Sequence, residues 1–198
     1  MARPRAATYD DQREQILARA AELFARHGYT ATTMNQVAAA CGVTKPTLYH
    51  YFTDKQSLLL HIAAGHVQRL EQLSSEVQAL SLDPPQRLRT LIERFMHVYA
   101  GAQNEHRVLT EDVRFLPDAE REQVVSVERR VVTAFADAIV ALRPDLQARQ
   151  LHKPLTMLLF GMMNWTFTWL RPDGALTYEA LGDVIADLFC GGLPLVGR

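Results

Sequence analysis

Residues 32–58 constrain the fold of this chain more than any other stretch. They read TTMNQVAAACGVTKPTLYHYFTDKQSL. Thr32 or Thr33 can cap a short first helix, because a threonine hydroxyl accepts from the unpaired N–H groups of a first turn. Gly42 then permits a sharp turn, and Thr44 can cap a second short helix that carries a proline in its first turn. The stretch therefore predicts a helix-turn-helix.

The second short helix divides into an inner and an outer side. Leu48 and Phe52 are one helical turn apart and are expected to point inward. The outer side then carries cationic, hydroxyl and aromatic groups on Lys45, Thr47, Tyr49, His50 and Tyr51. The whole chain has a net charge of −1, but the residues up to Lys55 include seven basic and five acidic side chains. The first quarter of the chain is therefore slightly basic.

The remainder of the chain predicts helices and no convincing strand. Apolar residues recur at helical spacing in each segment, and none alternates with a period of two. The first helix is expected from near Asp10 to His27, and the fourth from Asp54 to about Leu80. Further along, one helix is expected to run from Asp145 to Leu170. We therefore predict an all-α protein of about nine helices.

Several classes of function are disfavoured by what the sequence lacks. It has no G-x-S-x-G, P-loop or H-E-x-x-H motif, which argues against several common classes of enzyme. Cys41 and Cys190 are far apart, and no residues have the spacing of metal ligands. The N-terminus lacks the apolar core of a signal peptide, and the apolar stretch 154–170 is too short and mixed to span a membrane. We expect a cytoplasmic protein that is not an enzyme and needs no metal or other cofactor.

Residues 32–63 resemble, nearly position for position, the DNA-binding domain of the TetR family of transcriptional repressors. The matched elements are a helix of small residues, the turn Cys-Gly-Val at 41–43, Thr-Lys at 44–45, Thr-Leu-Tyr-His-Tyr-Phe at 47–52, Lys55 and Leu58. With the first helix and Gly28-Tyr29, the similarity covers about residues 10–60. Pro46 stands where many members have Gly or Ala, which a first turn tolerates.

The resemblance implies a DNA-binding domain at residues 1–55 and a larger helical domain for effector binding and dimerisation at residues 56–198. Each protomer of a homodimer would place the helix Thr44–Phe52 in a major groove of double-stranded operator DNA. Lys45 and Thr47 are the candidates for reading base edges. The side chains expected to hold mostly phosphates are Thr33, Thr44, Tyr49, His50 and Lys55.

Two features of the N-terminal domain allow more than one interpretation. Arg3 and Arg5 form a short basic arm that either lies along a DNA groove or is a solvated tail. Tyr51 belongs either to the core or to the DNA contacts.

Residues 160–174 and 186–189 are similar to a subset of the family, several members of which respond to acyl-CoA thioesters. The first of these segments is apolar nearly all round, so we expect it to lie between a ligand cavity and a partner helix. The expected ligand-binding residues are Phe95, Tyr99, Asn164, Trp165, Trp169 and Arg171. The expected dimer contacts are Met162, Phe167, Leu181, Ile185 and Phe189. Alternatively, the tryptophans are core residues and Arg171 caps a helix end.

The sequence thus predicts a homodimeric repressor that a small hydrophobic ligand releases from a palindromic operator. The favoured effector is an acyl-CoA thioester of a lipid or aromatic degradation pathway. One alternative is a repressor of an efflux gene that senses drugs or aromatic compounds. Another is a helical interaction module without DNA binding, which the outward-facing Lys45, Tyr49, His50 and Lys55 argue against.

Overall fold

The computed structural model describes residues 9–171 and 174–197. Within these residues the chain forms ten α-helices and three 3₁₀ turns, and no strand. The helices are α1 (Tyr9–His27), α2 (Met34–Ala40), α3 (Lys45–Tyr51), α4 (Lys55–Ala79), α5 (Pro84–Gly101), α6 (Gln103–Asp112), α7 (Asp118–Leu142), α8 (Asp145–Ala148), α9 (His152–Asn164) and α10 (Tyr178–Gly192). The 3₁₀ turns are Val113–Phe115, Trp165–Thr168 and Leu193–Leu195. The predicted all-α class is confirmed.

Local capping chemistry sets the limits of the helices near the N-terminus. Thr33 caps α2 in a reciprocal capping box with Gln36, and the Thr44 hydroxyl accepts from the N–H of Thr47 at the start of α3. These bonds satisfy N–H groups that have no partner inside a helix. Gly42 forms the turn between the two helices with a φ of 66°, in the left-handed region that favours glycine. The helix-turn-helix is therefore encoded by contacts within three residues of each cap.

The single helix expected from Asp145 to Leu170 was wrong. The short α8 ends at Ala148, Gln150 adopts a φ of 56°, and α9 begins only at His152. The physical reason is Pro154, whose ring would clash in a helix interior but fits the first turn of a new helix. A 3₁₀ turn replaces the α-helix again from Trp165 onwards.

The first of two compact units runs to His66 and also includes Asn104–Val124. Its core contains the side chains Ile16, Ala20, Phe24, Val37, Leu48, Phe52 and Leu58. Side-chain contacts join the segment 104–124 to the rest of this unit, and two of them involve Phe115 and Glu120. The rings of Tyr29 and Phe115 stack with centroids 5.4 Å apart, and Gln56 donates to Glu120 at 3.1 Å. The domain boundary predicted between residues 55 and 56 stays a prediction.

The second compact unit comprises Val67–Gln103 and the chain from Val125 onwards. The main packing within it is between α5 and α10. Gly182 of α10 permits this close approach, because a Cβ there would come within 3.2 Å of Met96 Cβ. A cluster of buried rings connects α5, α7 and α9. The ring centroid of Phe135 lies 4.8 Å from that of Phe95 and 4.9 Å from that of Phe160. None of the described helices is long and apolar enough to cross a membrane.

Candidate DNA interface and ligand region

Helix α3 has a polar outer face and an apolar inner side. Leu48 is fully buried, whereas Thr44, Lys45, Tyr49 and His50 are exposed. The hydroxyls of Thr44 and Thr47 lie 2.8 Å apart, and the Lys45 ammonium lies 5.8 Å from the centre of the Tyr49 ring. One short helix thus brings five of the seven predicted DNA-contacting residues onto one surface.

Thr33, the sixth predicted contact, is exposed at the start of α2. Its hydroxyl accepts from the N–H of Gln36 and donates to the Gln36 side chain at 2.9 Å. The Thr33 hydroxyl therefore caps α2. It could contact a phosphate only if its hydrogen bond to the Gln36 side chain broke; otherwise the contact would come from other groups of the first turn.

Lys55 does not face outward as expected. Its ammonium donates to the carbonyls of Tyr29, Thr30 and Thr32 at 2.8, 3.2 and 2.9 Å, and it lies 4.4 Å from the centre of the Tyr29 ring. An ammonium has three N–H donors, and all three are engaged. Burial lowers the pKa of Lys55. The structure therefore assigns this lysine to the loop before α2, in place of the predicted phosphate contact.

Tyr51 packs against α1, a contact that the sequence pattern left open. Its ring stacks on Tyr9 with centroids 4.6 Å apart, and its hydroxyl donates to Gln12 Oε1 at 2.9 Å. Tyr9 also meets His50 edge-on at 6.1 Å. Tyr9 and Gln12 were missed because no local pattern links α1 to α3. Arg3 and Arg5 lie outside the described residues.

The predicted ligand-binding residues separate into two groups. Phe95 and Tyr99 are buried side by side in α5, and the Tyr99 hydroxyl donates to Asn164 Oδ1 of α9 at 2.9 Å. Burial raises the pKa of Tyr99, and the charge of nearby Glu128 raises it further. These residues form a packed core with one internal hydrogen bond, so they line a cavity only if the core opens.

Trp165, Trp169 and Arg171 form the second group, and all three are exposed. Trp165 begins a 3₁₀ turn, so the expected helical spacing of the two tryptophans does not apply. The contact of the two tryptophans and Arg171 with a ligand stays a prediction. Their exposure makes them part of the outer surface of this unit.

The expected dimer contacts also divide. Leu181 and Ile185 are buried on the same side of α10 as Gly182, which meets Met96 of α5. Both side chains therefore already belong to the core of one protomer, and their contact with a partner stays a prediction. Met162 and Phe189 are half-buried and line an apolar groove of about 380 Å³ between α9 and α10, and Phe167 is half-buried in the following turn.

Helices α7 and α9 form a larger groove that periodicity did not reveal. Its volume is about 790 Å³, and α7 supplies most of its wall. Its lining is mixed. The apolar lining residues are Val125, Val132, Ala136, Val140 and Met157, and the polar ones are Glu128, Arg129, Thr133, Asp137, Gln147, His152 and Lys153. We call this the lateral groove.

Two histidines meet inside the first unit. His66 Nε2 lies 3.2 Å from His106 Nδ1, and both side chains are buried. They are forty positions apart, so their pairing was not predictable from spacing. No group of three or more His, Cys, Asp or Glu residues in the described parts of the chain could hold a metal ion. Cys41 and Cys190 form no disulfide.

Comparison with known proteins identifies the same two regions. Residues 16–62 match the family model of bacterial regulatory proteins of the tetR family, and residues 81–193 match a tetracyclin repressor-like C-terminal domain. The crystal structure of a TetR-family transcriptional regulator from Bordetella parapertussis 12822 is similar, with a TM-score of 0.89 and 34% identity, covering 96% of this chain and 100% of that one.

Two further relatives carry functional names. The HTH-type transcriptional activator FasR of Mycolicibacterium smegmatis is 28% identical over 192 residues, which are 94% of this chain and 85% of FasR. AibR, crystallised in complex with isovaleryl coenzyme A and operator DNA, is 26% identical, with a TM-score of 0.77 over 89% of this chain and 97% of that one. The matches confirm the resemblance seen in the sequence, and the chain belongs to the TetR family of bacterial transcriptional regulators.

Proposed function

We propose that this protein is a homodimeric repressor that leaves its operator when a small hydrophobic effector binds. The observation that carries the proposal is the outer face of α3, where Lys45, Thr47, Tyr49 and His50 surround a single buried leucine. These groups have no role in the core. Their chemistry suits a surface of phosphates and base edges.

Within this face, Lys45 and Thr47 are proposed to read base edges in the major groove. Thr44, Tyr49 and His50 are proposed to hold phosphates, with Thr33 at the start of α2. Two such helices in a dimer would match half-sites about 34–36 Å apart, or a multiple of that distance. Lys55 drops out of the proposed contacts, because carbonyls of the 29–32 loop already use its ammonium.

The proposed dimer forms through the outer surfaces of α9 and α10. Leu158 and Leu188 are 63% and 64% exposed and border the apolar groove that holds Met162 and Phe189. An apolar surface of this kind on a single chain is typical of an interface. It supports a four-helix contact in which the same patch of both protomers meets.

The proposed effector is an acyl-CoA thioester. The support is the similarity of the chain to AibR, whose crystal structure contains isovaleryl coenzyme A and operator DNA. Helix α4 has residues in both compact units, with the division after His66. A displacement of its second half can therefore be transmitted along one continuous backbone. To weaken operator binding about 100-fold, the effector must be coupled to DNA binding by roughly 2.7 kcal/mol.

The DNA part of the proposal is tested by fluorescence anisotropy with duplexes from the DNA that flanks the protein's own gene. We expect salt-sensitive, sequence-selective binding that Lys45→Ala with Tyr49→Ala weakens by about 10- to 100-fold. Arg94→Ala, which removes an exposed cation from α5, serves as the matched control. The repressor proposal is contradicted if the wild type shows no sequence-selective binding. It is also contradicted if the double variant binds the operator as tightly as Arg94→Ala does.

The effector part is tested by adding acyl-CoA thioesters of different chain lengths to the protein–operator complex. Release by the thioesters, but not by coenzyme A alone, is the expected result. Release by hydrophobic drugs with no response to any thioester favours the efflux regulator instead. A reporter gene behind the operator shows whether the bound protein represses, because deletion of the regulator must then raise expression.

A further inference from the structure

Residues 193–196 follow α10 and form one side of the apolar groove between α9 and α10. Leu193 and Val196 line this groove together with Met162 and Phe189. Leu193 is almost fully buried, and Val196 is half-buried. We call residues 193–196 the strap. Because the strap borders the groove, its position determines the shape of the surface at this end of α9 and α10.

Arg143, the first residue after α7, binds the strap. Its guanidinium donates from Nη1 to the carbonyl of Leu193 at 2.7 Å and from Nη2 to the carbonyl of Val196 at 3.3 Å. Carbonyls near the end of a helix have no partner inside the helix, and a basic side chain is well suited to bind them. The two bonds hold the strap at its first residue and at its last.

Asp145 fixes the direction of this guanidinium. Nε and Nη2 of Arg143 donate to the two carboxylate oxygens of Asp145 at 2.7 and 2.8 Å, which is the paired geometry that an arginine favours. The Arg143 side chain is only 22% exposed, so these bonds are partly shielded from solvent. A lysine could supply the charge, but it lacks the planar fork that reaches a carboxylate and two carbonyls at once. The strap is therefore held by geometry as well as by charge.

A second arginine packs against the residue that follows the strap. Gly197 adopts a φ of 71°, in the left-handed region that favours glycine. A Cβ at Gly197 would overlap the guanidinium of Arg149, so the side chain of Arg149 lies directly against the backbone there. Arg149 Nη1 lies 3.9 Å from Asp145 Oδ2, which places Asp145 between the two arginines. The segment 143–149 therefore contacts the strap and the residue after it.

We propose that Arg143 is a latch that fixes the strap to the end of α7, and that the latched strap forms one side of the surface on which the second protomer docks. This proposal rests on the proposed dimer and names an element that controls it. The support for a second copy at this surface is its continuity with the exposed Leu158 and Leu188, which border the same groove. The latch links α7 to a surface that α9 and α10 otherwise form.

Amide hydrogen exchange of the full chain, followed by mass spectrometry, tests the latch. Arg143→Met is expected to raise the exchange rate of the Val196 amide by about tenfold, because two bonds from a charged donor no longer restrain the strap. Arg143→Lys keeps the charge and is expected to raise the rate nearly as much. Arg121→Met is the matched control, since it removes the arginine that pairs with Asp118 near the other end of α7, and it should leave the strap unchanged. Unchanged exchange of the strap in Arg143→Met overturns the latch.

Sedimentation velocity with fluorescence detection, over a dilution series, tests the docking role of the strap. Arg143→Met is expected to raise the dissociation constant of the dimer by about tenfold, with circular dichroism as the check that the helices are intact. Val196→Asp leaves the backbone bonds of Arg143 in place and puts a charge into the groove, so it is expected to weaken the dimer by about tenfold as well. This second variant tests the surface even where Arg143→Met does not fold. Arg121→Met is again the control and should dimerise as the wild type does.

Failure of the strap and failure of the proposed dimer give different results. A dimer that Leu158→Arg disrupts, but that neither Arg143→Met nor Val196→Asp weakens, keeps the proposed function and overturns the docking role of the strap. A wild type that stays monomeric at every concentration refutes the dimer and the docking role with it. The exchange of the strap in Arg143→Met then still decides whether Arg143 is a latch.

Discussion

The ring of Tyr9 stacks on the ring of Tyr51 with 4.6 Å between the centroids, and this contact holds the last turn of α3 against the first turn of α1. Helix α3 has only seven residues, so it has little stability of its own. The bond from Tyr51 to Gln12 adds to the same contact. The position of α3 therefore depends on side chains outside the helix-turn-helix.

Replacement of Tyr9 with alanine is expected to weaken operator binding by about three- to tenfold, because an aromatic pair contributes roughly 0.5–1.5 kcal/mol. Tyr9→Phe keeps the ring and is expected to bind as the wild type does. Anisotropy titrations of both variants, with melting temperatures measured alongside, test this. Equal affinity in Tyr9→Ala and Tyr9→Phe would show that the stacking does not position α3.

Local capping bonds, such as that of Thr44, could be predicted from the sequence, whereas the long-range contact of Tyr9 could not. The caps at Thr33, Thr44 and Asp54 bind N–H groups three residues along the chain, so residue type and spacing were enough to predict them. The stack of Tyr9 on Tyr51 joins residues forty-two positions apart. Aromatic residues at that distance have no spacing rule, so only the packing of α1 on α3 reveals the pair.

The C-terminal region was predicted less well for a related reason. The apolar residues of α9 and α10 were recognised, but periodicity does not tell which side of an apolar helix meets the protomer's own core. Leu181 and Ile185 are buried, whereas Leu158 and Leu188 are exposed, although all four are aliphatic. The lateral groove was missed because its walls come from α7 and α9, whose pairing is a property of the whole unit.

Lys55 is expected to affect stability more than DNA binding. Lys55→Met removes the three hydrogen bonds that close the 29–32 loop, and we expect it to lower the free energy of unfolding by about 1–3 kcal/mol. Lys45→Met, which removes an exposed cation from α3, should leave stability nearly unchanged and weaken operator binding. Urea denaturation and anisotropy of both variants measure the two effects. A Lys55→Met protein with normal stability and lost operator affinity would restore the phosphate contact predicted from the sequence.

Asp112 is expected to make stability depend on pH. Burial, with a smaller contribution from Glu111, raises the pKa of Asp112 from 3.8 to about 6. The folded state therefore favours the protonated form, so this residue lowers stability as the pH rises from about 4 to about 6, with no further change above that. Asp112→Asn should remove the effect and stabilise the protein at pH 7 by on the order of 1 kcal/mol, since contact with solvent reduces the full value.

Urea denaturation of the wild type and of Asp112→Asn at several values between pH 4.5 and 8 isolates this effect from the other carboxylates. The difference in unfolding free energy between the two proteins should grow toward pH 6.5 and then stay constant. Asp183→Asn, which removes an exposed carboxylate from α10, is the control and should show no such growth. A constant difference over the whole range would mean that Asp112 is charged throughout.

Leu158 and Leu188 are expected to hold the dimer together, whereas Ile185 stabilises each protomer. Leu158→Arg or Leu188→Arg places a charge in the proposed interface, and we expect the protein to sediment as a monomer at micromolar concentrations while its helical content is unchanged. The conservative Ile185→Val should lower the unfolding free energy by about 0.5–1.5 kcal/mol and leave the dimer intact. Sedimentation velocity and denaturation of the three variants separate these effects. Dimers that persist in both arginine variants would place the interface on another surface of the unit, and operator affinity measured on the same variants shows whether two protomers are needed to bind the palindrome.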